Sequence, residues 1–138
     1  MNQLSGKIEN IETKNSLSFV SIKVGTATLF AIVMQTLHNS PHLKIGNPIQ
    51  VIFKATEVII STGLVDHISL QNRLAGKIYT IESGLLMSRL LLKTEIGMLI
   101  SVIPTISVNR LELKVDSEIT AMIKSNNLIL IKSSIGNH

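Results

Sequence analysis

Val20, Ile22 and Val24 alternate with Ser21 and Lys23, and Ile49, Val51 and Phe53 hold the same two-residue phase around Gln50. A period of two carried by β-branched and aromatic side chains is the signature of strands with one buried face. Read this way, the first half of the chain predicts five strands, near residues 5–13, 17–24, 27–35, 48–55 and 57–61. The second half predicts the same five, displaced by 70 positions. Between the third and fourth strands, Thr36 to Lys44 and Ile106 to Lys114 each leave room for one short helical turn at most, and Pro41 limits the first.

The displacement is an internal repeat. A shift of 70 superposes Asn2 on Asn72, Leu4 on Leu74, Gly6-Lys7-Ile8 on Gly76-Lys77-Ile78 and Ile11-Glu12 on Ile81-Glu82, and 16 of 60 positions from Asn2 to Ser61 are identical. The register holds without a gap, so the chain is a tandem duplication. Units at 1–61 and 72–133, joined by a linker at 62–71, follow from it. Five short strands with an insertion after the third predict an all-β fold of two tandem OB-like five-stranded Greek-key barrels, each with one short helical turn. A barrel of that size buries little core alone, so the two should pack together and self-associate as a dimer or trimer.

Composition narrows the classes. The 138 residues are 45% hydrophobic, with a mean hydropathy of +0.39, which is too apolar for a disordered chain. No apolar run approaches the roughly 18 to 20 residues of a spanning helix, and Met1-Asn2-Gln3-Leu4 does not begin a secretory signal, so a cytoplasmic protein is expected. Cysteine is absent, which removes disulfides and thiolate chemistry. A net charge of +4 favours anionic partners, yet the thirteen Lys and Arg are spread along the chain. A small anion suits that distribution as well as a nucleic acid does.

The order Asn-x-Leu-x-Gly-Lys-Ile, an aliphatic third strand, Leu43-Lys44-Ile45-Gly46 and Ile49-Gln50-Val51-Ile52-Phe53-Lys54-Ala55, given twice, resembles the molybdenum-pterin-binding (Mop, or TOBE) domain in its tandem di-Mop, molbindin form. The resemblance implies molybdate or tungstate bound without catalysis at interfaces between barrels or subunits, for intracellular storage, buffering or sensing. Neither a P-loop nor a helix-turn-helix accompanies the barrels.

Molybdate is a tetrahedral dianion with four acceptor oxygens, so its site needs converging N–H and O–H donors and some positive charge. Lys54-Ala55 and Lys124-Ser125 end the fourth strand of each unit, where a turn can leave amides unpaired. By the resemblance, the segment Ser69-Leu70-Gln71-Asn72 before the second unit belongs to the site, with Gln71 where the family has arginine; Arg73, two residues on, is a substitute cation. The first unit has only Met1 before Asn2, so that copy uses its N-terminus or binds poorly. A third group follows the third strand. There Ser107 matches the small hydroxyl of the family, Met34 and Pro104 replace threonine, and Thr36 and Thr105 are neighbouring donors. The oxyanion set is thus Ser69, Gln71, Asn72, Ser107, Lys124, Ser125, Lys54 and Ala55.

Other chemistry fits less well. His38 and His42 are four apart, but Pro41 intervenes and no third ligand is evident; His67 and His138 have no identifiable partner. No nucleophile–base or paired-carboxylate set can be singled out, so no enzyme is expected. Nucleic-acid binding is the rival for an OB-like barrel, but Phe19, Phe30 and Phe53 fall in apolar strand patterns and read as core. An oligomerisation or effector module with weakened or lost anion binding is the other alternative.

Overall fold

The computed structural model describes residues 1–34, 41–63 and 65–133. The first unit supplies β1 (Asn2–Lys14), β2 (Leu17–Val24), β3 (Ala27–Val33), β4 (Pro48–Phe53) and β5 (Ile59–Ser61). The second supplies β6 (Asn72–Ser83), β7 (Met87–Thr94), β8 (Gly97–Pro104), β9 (Glu118–Ile123) and β10 (Ile129–Lys132). A 3-10 turn follows the fourth strand of each unit, at Ala55–Glu57 and at Ser125–Asn127. The helix α1 (Thr105–Arg110) follows β8 and, at six residues, is longer than the single turn expected there. Its counterpart in the first unit, including Thr36 and His38, lies outside the described residues.

Two antiparallel five-stranded sheets result, in the orders β10-β4-β1-β2-β3 and β5-β9-β6-β7-β8. The architecture is the expected pair of OB-like β units, with one feature the alternation does not announce. Each sheet takes four strands from one unit and its fifth from the other. Ile59, Ile60 and Ser61 of β5 pair with Met122, Ala121 and Thr120 of β9, while Ile129 to Lys132 of β10 pair with Ile52 to Ile49 of β4. The 3-10 turn sends the chain off the fourth strand toward the opposite unit and buries Val58 or Leu128 on the way. Ser101 in β8 secures the first crossing by donating from Oγ to the Val58 carbonyl at 2.9 Å.

A matching pair of side chains holds the units together. Asn72 donates from Nδ2 to the carbonyls of Phe30 (2.9 Å) and Ile123 (3.0 Å) and accepts from the Phe30 N–H at 2.7 Å. Asn2 treats Ile100 the same way, donating to its carbonyl at 2.8 Å and accepting from its N–H at 2.7 Å. Ile100 stands 70 residues after Phe30, so the repeat extends to the contact. Each asparagine amide acts as an extra peptide group, pairing the outward-facing N–H and C=O of an edge strand that would otherwise lack partners.

The repeated Gly-Lys-Ile also has a physical cause. A Cβ on Gly6 would lie 2.6 Å from Ile22 Cγ2 and 2.7 Å from the Lys23 carbonyl oxygen, and one on Gly76 would lie 2.7 Å from the Lys93 carbonyl oxygen. Only glycine admits the neighbouring strand so closely. Two residues later the register shifts, between Ile8 and Asn10 and between Ile78 and Thr80. The bulge frees one backbone for a loop: Ile8 N–H donates to Asn47 and its carbonyl accepts from Gly46, as Ile78 does with Ser117 and Asp116.

The buried aliphatics form one cluster spanning both units, with Ile22, Ile49, Val51 and Phe53 from the first and Ile78, Leu90, Leu92 and Ile123 from the second all fully enclosed. Among the described residues no helix is long and apolar enough to cross a membrane.

Candidate anion site at the junction of the units

Four of the expected donors converge. Ser69 and Gln71 lie on the segment entering β6, and Lys124 and Ser125 lie where β9 gives way to its 3-10 turn. With Leu70 and Asn126 they line a cavity of about 320 Å³. Its opposite wall is Phe19, Phe30 and Ile32, from β2 and β3 of the other unit. The cavity therefore exists only because the two units are docked, and the Asn72–Phe30 hydrogen bonds hold its two walls together.

Lys124 brings an exposed ammonium to the cavity, Ser69 and Ser125 bring hydroxyls, and Gln71 and Asn126 bring amide donors. The 3-10 turn uses Asn127 N–H on the Lys124 carbonyl at 2.9 Å, which leaves the amides of Ser125 and Asn126 outside the turn's own bonding. One formal charge and several neutral donors face a wall of aromatic and aliphatic carbon. Such a set suits a compact anion whose charge is spread over several oxygens, because several oxygens can each find a donor while the apolar wall covers the remaining face.

The remaining expected residues go elsewhere. Asn72 is buried, and its side-chain amide is committed to Phe30 and Ile123, so it builds the frame of the cavity and does not line it. Arg73 does not line this cavity: its guanidinium donates to the Val65 carbonyl at 2.8 Å and ties down the linker. Ser107 sits half-buried in α1, outside the cavity lining, and Thr105 is held by Ser88 Oγ at 2.8 Å and the Gly84 carbonyl at 2.9 Å. Lys54 and Ala55 occupy the equivalent turn of the first unit, away from this cavity.

Phe19 and Phe30 correct a sequence expectation. They are 50% and 37% exposed and form the cavity wall, whereas Phe53, fully buried, is core. The signal was present in the alternation, since the phase that buries Val20 and Ile22 turns Phe19 outward, and the phase that buries Leu29 and Ala31 turns Phe30 and Ile32 outward.

A larger open groove of about 890 Å³ runs along the second sheet, where Lys77 and Lys93 face Glu95 and Glu118. Equal numbers of opposite charges give it no preference for anions. His42 lines a smaller hollow with Leu43, Leu128 and Leu130. Among the described residues no group of three or more His, Asp or Glu is placed to hold a metal ion.

Comparison with known proteins follows the same division of the chain. The family model of the TOBE domain matches twice, at residues 1–60 and 68–130. Among solved structures, the cytoplasmic molybdate-binding protein ModG, in a form with molybdate bound, superposes with a TM-score of 0.89 at 26% identity, covering 96% of each chain. MopII from Clostridium pasteurianum, in an apo form, is 29% identical over 46% of this chain and 97% of its own, with a TM-score of 0.45. No curated protein sequence matches.

Proposed function

We propose, from the premise that this chain belongs to the TOBE domain family across both of its units, that it binds molybdate or tungstate reversibly and without catalysis. The observation that carries the reading is the convergence of Ser69, Gln71, Lys124 and Ser125 on one cavity, in a fold shared with a protein that holds molybdate. The oxyanion sits with its oxygens toward Lys124, Ser125 and the Ser69–Gln71 segment and its remaining face toward Phe19 and Phe30. Storage, buffering or sensing in the cytoplasm is the use such reversible binding would serve, and the structurally similar ModG is a cytoplasmic molybdate-binding protein. Self-association into a dimer or trimer fits exposed apolar residues such as Leu85, Leu86 and Ile106, and it is the route by which Ser107 of one copy reaches an anion held by another.

Calorimetric titration of the purified chain with molybdate, tungstate, sulfate and phosphate, with a native mass alongside, tests this. The two larger oxyanions should release heat and raise the melting temperature; silence toward both would sink the binding reading and leave an oligomerisation module.

Position within the site is tested by a pair of lysines. Lys124→Ala is expected to weaken molybdate by about tenfold to a hundredfold, the range for one charge-assisted hydrogen bond. Lys44→Ala should leave binding unchanged, because Lys44 is exposed on the loop before β4 and lines no part of the cavity. Equal effects from the two would reject the assignment.

A further inference from the structure

The outer face of β2 and β3 in the first unit combines features that its counterpart in the second unit lacks. Alternation turns Phe19, Ser21 and Lys23 to the same side of β2, and cross-strand pairing sets them beside Ile32, Phe30 and Thr28 of β3. Phe19 and Phe30 are thus diagonal neighbours, both exposed, and Lys23 stands opposite the exposed Lys7 of β1. A shift of 70 replaces Phe19 by Arg89 and Phe30 by Ile100, so the aromatic pair does not recur. It also turns Lys7 and Lys23 into Lys77 and Lys93, which share their groove with Glu95 and Glu118. The first unit has Gly25 and Pro48 at those two positions. Its paired lysines therefore repel each other without those carboxylates to offset them, a cost that an anionic partner removes.

From this asymmetry we infer that the face binds single-stranded nucleic acid, with bases stacked on Phe19 and Phe30 and phosphates held by Lys124 and Ser125 at one end and by Lys23 and Lys7 at the other. The exposure of the two rings lifts the objection that their strand pattern raised to such a partner. In barrels of this topology, the face of the second and third strands and the loop after the fourth form the oligonucleotide surface. Here the strand exchange supplies that loop from the other unit. The 3-10 turn Ser125–Asn127 packs on β3, and Lys124, Ser125 and Asn126 line one cavity with the two phenylalanines.

Size and spacing point the same way. The cavity of about 320 Å³ reaches the range of roughly 300–1,000 Å³ that organic ligands occupy, so a tetrahedral oxyanion leaves part of it free. Phe19 and Lys23 lie four residues apart, about 13 Å along the strand, so a chain of nucleotides reaches both cationic ends where a single anion reaches one. Stacking accepts any base and the lysines meet only phosphate, so little sequence preference is expected. Glu9 in the β1 bulge and Glu12 opposite Phe19 border the path on the β1 side and direct the phosphates toward β2 and β3. The inference shares Lys124 and Ser125 with the proposed oxyanion site but does not require that molybdate bind there.

Fluorescence anisotropy of a labelled oligothymidylate, of a length within the roughly 4–16 nucleotides that one such barrel covers, tests this on the full chain. Wild-type protein should bind it at low salt. The logarithm of affinity should fall against that of salt with a slope of roughly −2, at about −0.7 for each of Lys7, Lys23 and Lys124. Phe19→Ala should weaken the oligonucleotide by about tenfold, as for the loss of one stacked base, without changing that slope. Lys23→Gln should weaken it and lower the slope by about 0.7, while calorimetry with molybdate stays unchanged because Lys23 lines no part of the cavity. Both positions are exposed on a strand, so the variants should fold, as a thermal melt without ligand verifies. Absence of binding at low salt overturns the inference, and the molybdate titration judges the oxyanion reading independently. Binding that neither substitution weakens overturns it as well, since the contact would then be the general attraction of a basic chain. Thymidine monophosphate that competes at the same concentration as the oligonucleotide would assign the cavity to a free nucleotide and overturn the strand.

Discussion

Deleting residues 129–138 is expected to strip hydrogen-exchange protection from the edge of β4, about 80 residues upstream, and to leave β9 protected. The deletion removes β10, which pairs with Ile49 to Ile52 and with nothing in its own unit. Four register pairs and the half-buried Leu130 are lost, roughly 5–6 kcal/mol at about 1 kcal/mol for each pair and 1–2 kcal/mol for the side chain. Against a total stability on the order of 5–15 kcal/mol, that is enough to leave the first sheet partly open at ambient temperature. The amides of β4 that face β10 should exchange fast, while β9 keeps its partners β5 and β6. The opposite pattern, β9 exposed and β4 protected, would mean that each unit closes on its own fifth strand and would refute the exchange.

Asn72→Ala should be the most damaging single substitution at the junction. The alanine abandons the N–H and carbonyl of Phe30 and the carbonyl of Ile123 at once, in a site only 1% exposed. Leaving buried polar groups unpaired costs about 1–3 kcal/mol each, partly relieved where water can enter, so a net loss of about 3 kcal/mol is expected. Asn2→Ala should cost less, because Asn2 serves Ile100 alone and is slightly more exposed. Thermal or urea unfolding of the two variants measures this. A loss below about 1 kcal/mol for Asn72→Ala would show that the amide is not what holds β3 to the second unit.

The parts of this protein legible in its sequence are those that local chemistry determines. Alternation of β-branched residues places the strands, and the repeat at a shift of 70 counts them; the 3-10 turns and the first residues of β1 lie just outside what a period of two can mark. The exchange of β5 and β10 was not legible for a reason specific to duplicated chains. Ile59 and Ile129 occupy equivalent positions, so pairing within a unit and pairing across units use the same residue types in the same register. Sequence cannot separate two arrangements whose local contacts are alike.

At the candidate site, the convergence of Ser69, Gln71, Lys124 and Ser125 on one cavity was legible because each was expected from the donor chemistry an oxyanion requires or from the family pattern. Asn72 was misplaced because the same amide that donates to an anion also imitates a peptide group, and only the position of Phe30 shows which role it takes. The wall formed by Phe19 and Phe30 was missed for the complementary reason. Nothing in one unit indicates that its exposed strand face becomes the wall of a cavity whose floor belongs to the other.

The exchanged strands also change what the linker is for. Because each unit completes the other, the described residues between β5 and β6 contribute no strand to either sheet, and besides lining the cavity with Ser69 to Gln71 the segment raises the local concentration of one unit around the other. A chain nicked once within 62–68 should consequently elute from gel filtration at its uncut size, and separation of the fragments would show that the tether, and not the interlocked edges, keeps the halves together. The covalent join makes the encounter of the two units fast and certain, while the strand exchange makes their parting slow.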